Sequence, residues 1–153
     1  MGTWGTGPFS NDDALDLLDA LGTQPASQRR ETLERIFFRV QARPGLLGWT
    51  FFPDEIVAAA AVVAARLPGG EGLRQDLADQ GYDVDAILVP APDPELNNSA
   101  LKALLVAAGP DGPWHGGWTD PQDAAQARQT TGRLAAILLR EEHSHDPELP
   151  LQY

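Results

Sequence analysis

Pro53-Asp54-Glu55-Ile56-Val57-Ala58-Ala59-Ala60-Ala61-Val62-Val63-Ala64-Ala65 is the stretch on which the fold turns. Proline suits the first turn of a helix, where an N–H would have no partner anyway, and acids beside it favour the positive end of the helix dipole. The ten residues from Ile56 to Ala65 carry no polar side chain, and alanine is the best helix former. Such a run rises about 15 Å as a helix, half of a bilayer core, so it is too short to span a membrane. A helix apolar on every side must be covered on every side. The segment is therefore expected to be the central helix of a mainly α domain, with alanines that let neighbouring helices approach closely. Pro68-Gly69-Gly70 ends it.

Working outward, a single compact domain of about five to six helices is expected, joined by Gly/Pro/aromatic loops. Ser10 or Asn11 caps a first helix running to about Leu21, with Asp12 and Asp13 in its first turn and Leu15, Leu18 and Leu21 as its apolar face. A second helix spans about Ser27 to Ala42, where Leu33, Ile36, Phe37 and Val40 fall at i, i+3, i+4, i+7. Arg35, Arg39 and Arg43 line another face, and Glu31 is placed to pair with Arg35. Gly48 to Phe52 forms an aromatic connector. A fourth helix covers Gly72 to Gln80, while Tyr82 to Val89 reads equally as helix or strand. Pro90, Pro92 and Pro94 make a linker into a fifth helix, Glu95 to Ala108, with Leu101, Leu104, Leu105 and Ala108 inward. Asp120 caps the last long helix, with Pro121 first and Asp123 third, and Ala127, Leu134, Ile137 and Leu138 inward. The domain is placed at 1–142, with 143–153 as a flexible or loosely docked tail.

Composition narrows the classes of function. The chain has 153 residues and a formal charge of −11, and contains no cysteine. One domain is the usual outcome at this length. Without cysteine there is no disulfide framework, thiol nucleophile or Cys-ligated zinc. The negative charge argues against nucleic acid as a partner, because phosphate contacts need a basic surface. Met1 to Pro8 has neither the basic nor the apolar region of a secretory signal, so the cytoplasm is the expected compartment. Gly2 with Thr6 satisfies the short myristoylation pattern, which matches often by chance, and no lipid is expected. Ten arginines stand against one lysine, a bias expected of a GC-rich bacterial genome.

The charge is unevenly distributed. Residues 1–21 carry four acids and no base, whereas residues 22–43 carry five arginines and two glutamates. Residues 44–127 hold twelve acids against three bases. The basic second helix either docks beside acidic helices or offers an anion or partner site. All four tryptophans, Trp4, Trp49, Trp114 and Trp118, lie outside the long helices. They either cover the ends of the core or form a loop-borne hot spot. Trp114-His115-Gly116-Gly117-Trp118 is the segment where glycines permit rearrangement around aromatics.

Catalytic machinery is not recognisable. There is no phosphate-cradling glycine loop, no H-E-x-x-H and no G-x-S-x-G. His143 and His145 with Asp146 and Glu148 alternate along a tail and make weak metal ligands. Asp12 with Asp16, and Asp16 with Asp19, sit on one helical face, a spacing that serves acid/base work or a cation but is usually a solvated face. No catalytic residue, metal site or cofactor is expected.

Met1-Gly2-Thr3-Trp4-Gly5-Thr6-Gly7-Pro8-Phe9-Ser10-Asn11-Asp12-Asp13-Ala14 resembles the opening of the bacterial domain of unknown function 4259 family, carried by Trp4, Gly5, Phe9, Asn11, Asp12 and Ala14. The alanine-rich helix and the last Ala/Arg/Leu helix are similar to later elements of that family. Its members often place an acid within the alanine-rich helix, where this chain has Ala58 to Ala61. The resemblance implies no established reaction, and it associates small acidic proteins of this kind with toxin–immunity neighbourhoods. The leading expectation is a non-enzymatic binding protein, an immunity-type or regulatory partner of a basic protein. The alternative is a small enzyme or small-molecule-binding domain using the loop aromatics with Asn11, Asp12 and His115. Trp4, Asn11, Asp12, Trp114, His115 and Trp118 are the candidate binding residues, and neither nucleic acid nor membrane is an expected partner.

Overall fold

The computed structural model describes residues 7–9, 12–43, 53–89, 94–108 and 120–144, with side chains through Leu139. These residues form seven helices and no strand. In order they are α1 (Asp12–Gly22), α2 (Ala26–Ala42), α3 (Pro53–Ala65), α4 (Glu71–Asp79), α5 (Val84–Ile87), α6 (Pro94–Ala108) and α7 (Pro121–Ser144). The count exceeds the expected five to six because the undecided stretch after Tyr82 resolves into the single turn α5. Asp83 decides it: its carboxylate accepts a hydrogen bond from the Asp85 backbone N–H, which starts a helix rather than a strand. The connectors Gly48 to Phe52 and Gly109 to Gly117 lie outside the described residues, as does everything after Ser144.

α3 is the axis of the molecule. All ten residues from Ile56 to Ala65 are at most 1% exposed, so the helix has no solvent face. It is surrounded by α1, α2, α4, α6 and α7. Small side chains at Ala58 to Ala61 let these neighbours pack near its backbone, the close-packed regime in which one added methylene is felt. Phe9, Leu18, Leu33, Phe37, Leu96 and Leu134 fill the spaces between helices in one continuous core.

The expected stripe of α2 is the observed one: Leu33, Ile36, Phe37 and Val40 are buried. On α1 the buried set is Ala14, Leu17, Leu18 and Leu21, with Leu15 only partly covered. Leucines at 15, 17 and 18 allow two overlapping stripes, and Ala14 selects the one that lets α1 lie close to α3. On α6, Leu105 is 53% exposed and Ala100, Ala103 and Ala107 are buried in its place. These alanines share the inward face with Leu96, Leu101 and Leu104. Asp120 caps α7 as expected, its Oδ1 accepting from the Gln122 N–H at 2.8 Å. The i,i+4 ion pair the structure shows on α2 is Arg30 with Glu34 at 3.4 Å, one step along from the expected Glu31–Arg35 pair.

Two glycine turns frame α4. Gly81, at φ 92°, closes a Schellman-type end in which its own N–H reaches Ala78 O and the Tyr82 N–H reaches Leu77 O, each at 3.0 Å. Before α4, Gly70 packs so tightly on the end of α3 that a Cβ there would overlap the Ala64 and Ala65 carbonyls. Two polar residues are buried, Asn97 and Thr131; Thr131 donates to carbonyls of its own helix, whereas among the described residues neither Oδ1 nor Nδ2 of fully buried Asn97 has a hydrogen-bond partner. An unpaired group of that kind costs about 1–3 kcal/mol.

The two glycines before and within α4 should separate cleanly. Gly70→Ala is expected to lower stability by about 1–3 kcal/mol in chemical denaturation, through the forced shift of backbone. Gly72→Ala, with nothing within 4 Å of the added carbon, is expected to raise it by about 0.5 kcal/mol through helix propensity.

Candidate functional site

Of the six candidate binding residues, Asp12 falls among the described residues, exposed in the first turn of α1. Trp4, Asn11, Trp114, His115 and Trp118 lie outside them. The carboxylates expected to share a face of the first helix do so, and Asp12, Asp16 and Asp19 all reach solvent. Among the described residues no group of three or more His, Asp or Glu is placed to hold a metal ion.

The face continues across the fold in a way the sequence did not announce. The Gly81 turn delivers Tyr82 beside α1, where its hydroxyl donates to Asp19 Oδ1 at 3.0 Å. The phenol is pushed above its usual value, first by burial, then by that hydrogen bond and by the charges of Asp19 and Asp16. Asp83 and Asp85 of the adjoining turn add two more exposed carboxylates. The signal that marks this partner segment is Asp83-x-Asp85, legible as a cap but not as a neighbour of α1.

Three arginines of the neighbouring elements donate to backbone carbonyls. Arg29 donates to Gln24 O at 3.0 Å, Asp85 O at 3.2 Å and Leu88 O at 2.9 Å, tying α2 to α5. Arg66 reaches Val89 O at 3.4 Å, and Arg74 caps α3 through the Ala65 carbonyl. Arg66 also stands 3.8 Å from Asp85, whose side chain is 90% exposed, a separation and setting in which an ion pair contributes little.

The basic α2 faces acids. Arg35 and Arg39 line a groove of about 200 Å³ shared with Asp16 of α1 and Glu55 of α3. At this end of α3 the carboxyls of Asp54 and Glu55 are pushed up. Burial is the main cause for both, and the charge of Asp13 adds to it; Arg39 partly offsets the effect on Glu55. Ala58 to Ala61, the positions where the resemblance leads one to look for an acid, are fully buried, so α3 carries no internal carboxylate.

A second and larger groove, about 410 Å³, opens between α4 and α7. Gly72, Leu73 and Asp76 form one wall and Thr130, Arg133, Leu134 and Ile137 the other. Gly7, Pro8 and Gly69 close it. The Asp76 carboxyl is also pushed up, first by burial and then by Asp79.

A family model described as "Domain of unknown function (DUF4259)" matches residues 2–130, and the chain belongs to that family. No curated protein and no solved structure matches it. Among the described residues no helix is long and apolar enough to cross a membrane.

The raised carboxyls at the start of α3 fix a sign for the pH dependence. A folded-state value above the unfolded one means that the native protein binds the proton more tightly, so the stability penalty is full at neutral pH. It disappears as pH falls toward the ordinary values, 3.8 for Asp54 and 4.5 for Glu55. Asp54→Asn and Glu55→Gln are each expected to raise the melting temperature by a few degrees near neutral pH. The gain should vanish near the ordinary values, as read by thermal denaturation across the pH range. A loss at neutral pH would contradict the burial penalty.

Proposed function

We propose that this DUF4259 protein is a non-enzymatic binding protein that engages the cationic surface of a basic protein partner, in a regulatory or immunity-type role within the cytoplasm. The observation that carries this reading is the acidic face of α1 and α5. Asp12, Asp16, Asp19, Asp83 and Asp85 reach solvent there, while Arg29, Arg66 and Arg74 are held on carbonyl oxygens. Exposed carboxylates gathered on this surface, in a chain of net charge −11, create a long-range field that speeds encounter with a positive surface and repels anionic competitors. Tyr82 adds an aromatic ring with a polar tip beside these carboxylates, the kind of side chain that anchors protein interfaces.

The reading is tested by isolating the protein with its stoichiometric partner and measuring association kinetics at increasing salt. A basic partner is expected, with an association rate that falls by on the order of tenfold from low to physiological ionic strength. Neutralising Asp12, Asp16 and Asp19 together, each to Asn, should slow association at low salt and leave the far-ultraviolet spectrum unchanged. A complex indifferent to both salt and this triple substitution would overturn the proposal.

A further inference from the structure

The groove between α4 and α7 holds two opposite charges that do not pair. Among the described residues, neither the Asp76 carboxylate nor the Arg133 guanidinium makes a side-chain hydrogen bond or ion pair, with each other or with any other group. They stand on facing helices. Thr130, Arg133, Leu134 and Ile137 fall at i, i+3, i+4 and i+7, one face of α7 turned toward Asp76 and Leu73 of α4. Between the charges the base is apolar: Leu134 is 1% exposed, and Leu73 and Ile137 are partly buried against the core.

The volume and the chemistry of the lining limit what such a groove can hold. At about 410 Å³ it lies near the lower end of ligand-binding clefts, ample for a small metabolite. A simple anion drawn to Arg133 would meet the carboxylate of Asp76, and a simple cation would meet the guanidinium. A wholly apolar ligand would strip water from both charges and give them nothing in return. The complement of an unpaired carboxylate, an unpaired guanidinium and an apolar base is a small zwitterion with an apolar body.

We propose that the groove binds a free α-amino acid with an apolar side chain. Its carboxylate lies on Arg133 and the Thr130 hydroxyl, its ammonium on Asp76, and its side chain over Leu73, Leu134 and Ile137. Arg133 suits the planar carboxylate, which it can hold through two parallel hydrogen bonds. This site is separate from the acidic face of α1 and α5, so its success or failure leaves the protein-partner reading untouched.

The test is calorimetric titration with leucine and phenylalanine, joined to methyl NMR of Leu134 and Ile137. Leucine is expected to bind and to shift both residues. Arg133→Gln should weaken leucine by about tenfold or more and leave leucinamide, which lacks the carboxylate, unaffected. Asp76→Asn should weaken leucine similarly and leave isocaproate, which lacks the amine, unaffected. Both side chains are exposed and unpaired, so the variants should keep the parent's circular dichroism spectrum. No heat and no methyl shift with either amino acid at millimolar concentration would overturn the proposal. So would leucine binding that is equally strong in the parent and both variants.

Discussion

Everything in this fold is arranged around the total burial of α3. A helix with no solvent face satisfies its own backbone groups, but it must find apolar cover through its full circumference. Five other helices supply that cover, with alanines at the closest approaches and large side chains such as Phe37 and Leu104 filling the rest. The same requirement recurs on the neighbours: α1 turns Ala14 inward and α6 turns Ala100, Ala103 and Ala107 inward. Tight approach removes slack, and dispersion between closely packed atoms then contributes where bulky side chains would otherwise do so. Asn97 stands out within this interior, an amide enclosed without hydrogen-bond partners among the described residues.

Charge is organised by the same economy of space. The basic helix α2 stands across a groove from Asp16 and Glu55, so a region that looks anomalous along the chain is complementary in three dimensions. Arg29, Arg66 and Arg74 are turned to carbonyl oxygens at helix ends, where they replace missing backbone partners. The net field of the molecule therefore has a structural origin. Arg29, Arg66 and Arg74 brace backbone carbonyls, while Asp12, Asp16, Asp19, Asp83 and Asp85 face outward.

What could be read from the sequence was whatever local chemistry dictates. The central helix, the stripe of α2 and the Asp120 cap of α7 each follow from a few consecutive residues. So do Leu18 and Leu21 of α1 and Leu101, Leu104 and Ala108 of α6, but Leu15 and Leu105 fall outside the buried faces, because hydrophobicity ranks them above the alanines that close packing selects. The acidic partner segment was hidden for another reason: Asp19 and Tyr82 meet across 63 positions of sequence, joined by a left-handed turn at Gly81 whose direction no periodicity encodes. The groove of Asp76 and Arg133 is likewise a product of tertiary placement, two ordinary exposed residues made notable by the helices that carry them.

The carbonyl-bound arginines also set the direction in which this surface can drift. Arg29 contacts three carbonyls through a planar fork, and a lysine ammonium, compact and more strongly hydrated, cannot span the same oxygens. Asp12 and Asp16 of α1, which among the described residues make no side-chain hydrogen bond, can be lost with little effect on the fold, whereas Asp19 holds the Tyr82 hydroxyl. Losing Arg29 would release α5 from α2. Substitution can thus make the protein less negative at many positions, but making it more negative by removing these cations would loosen the scaffold first. The arginine content of such a chain is a mechanical necessity as much as a compositional habit.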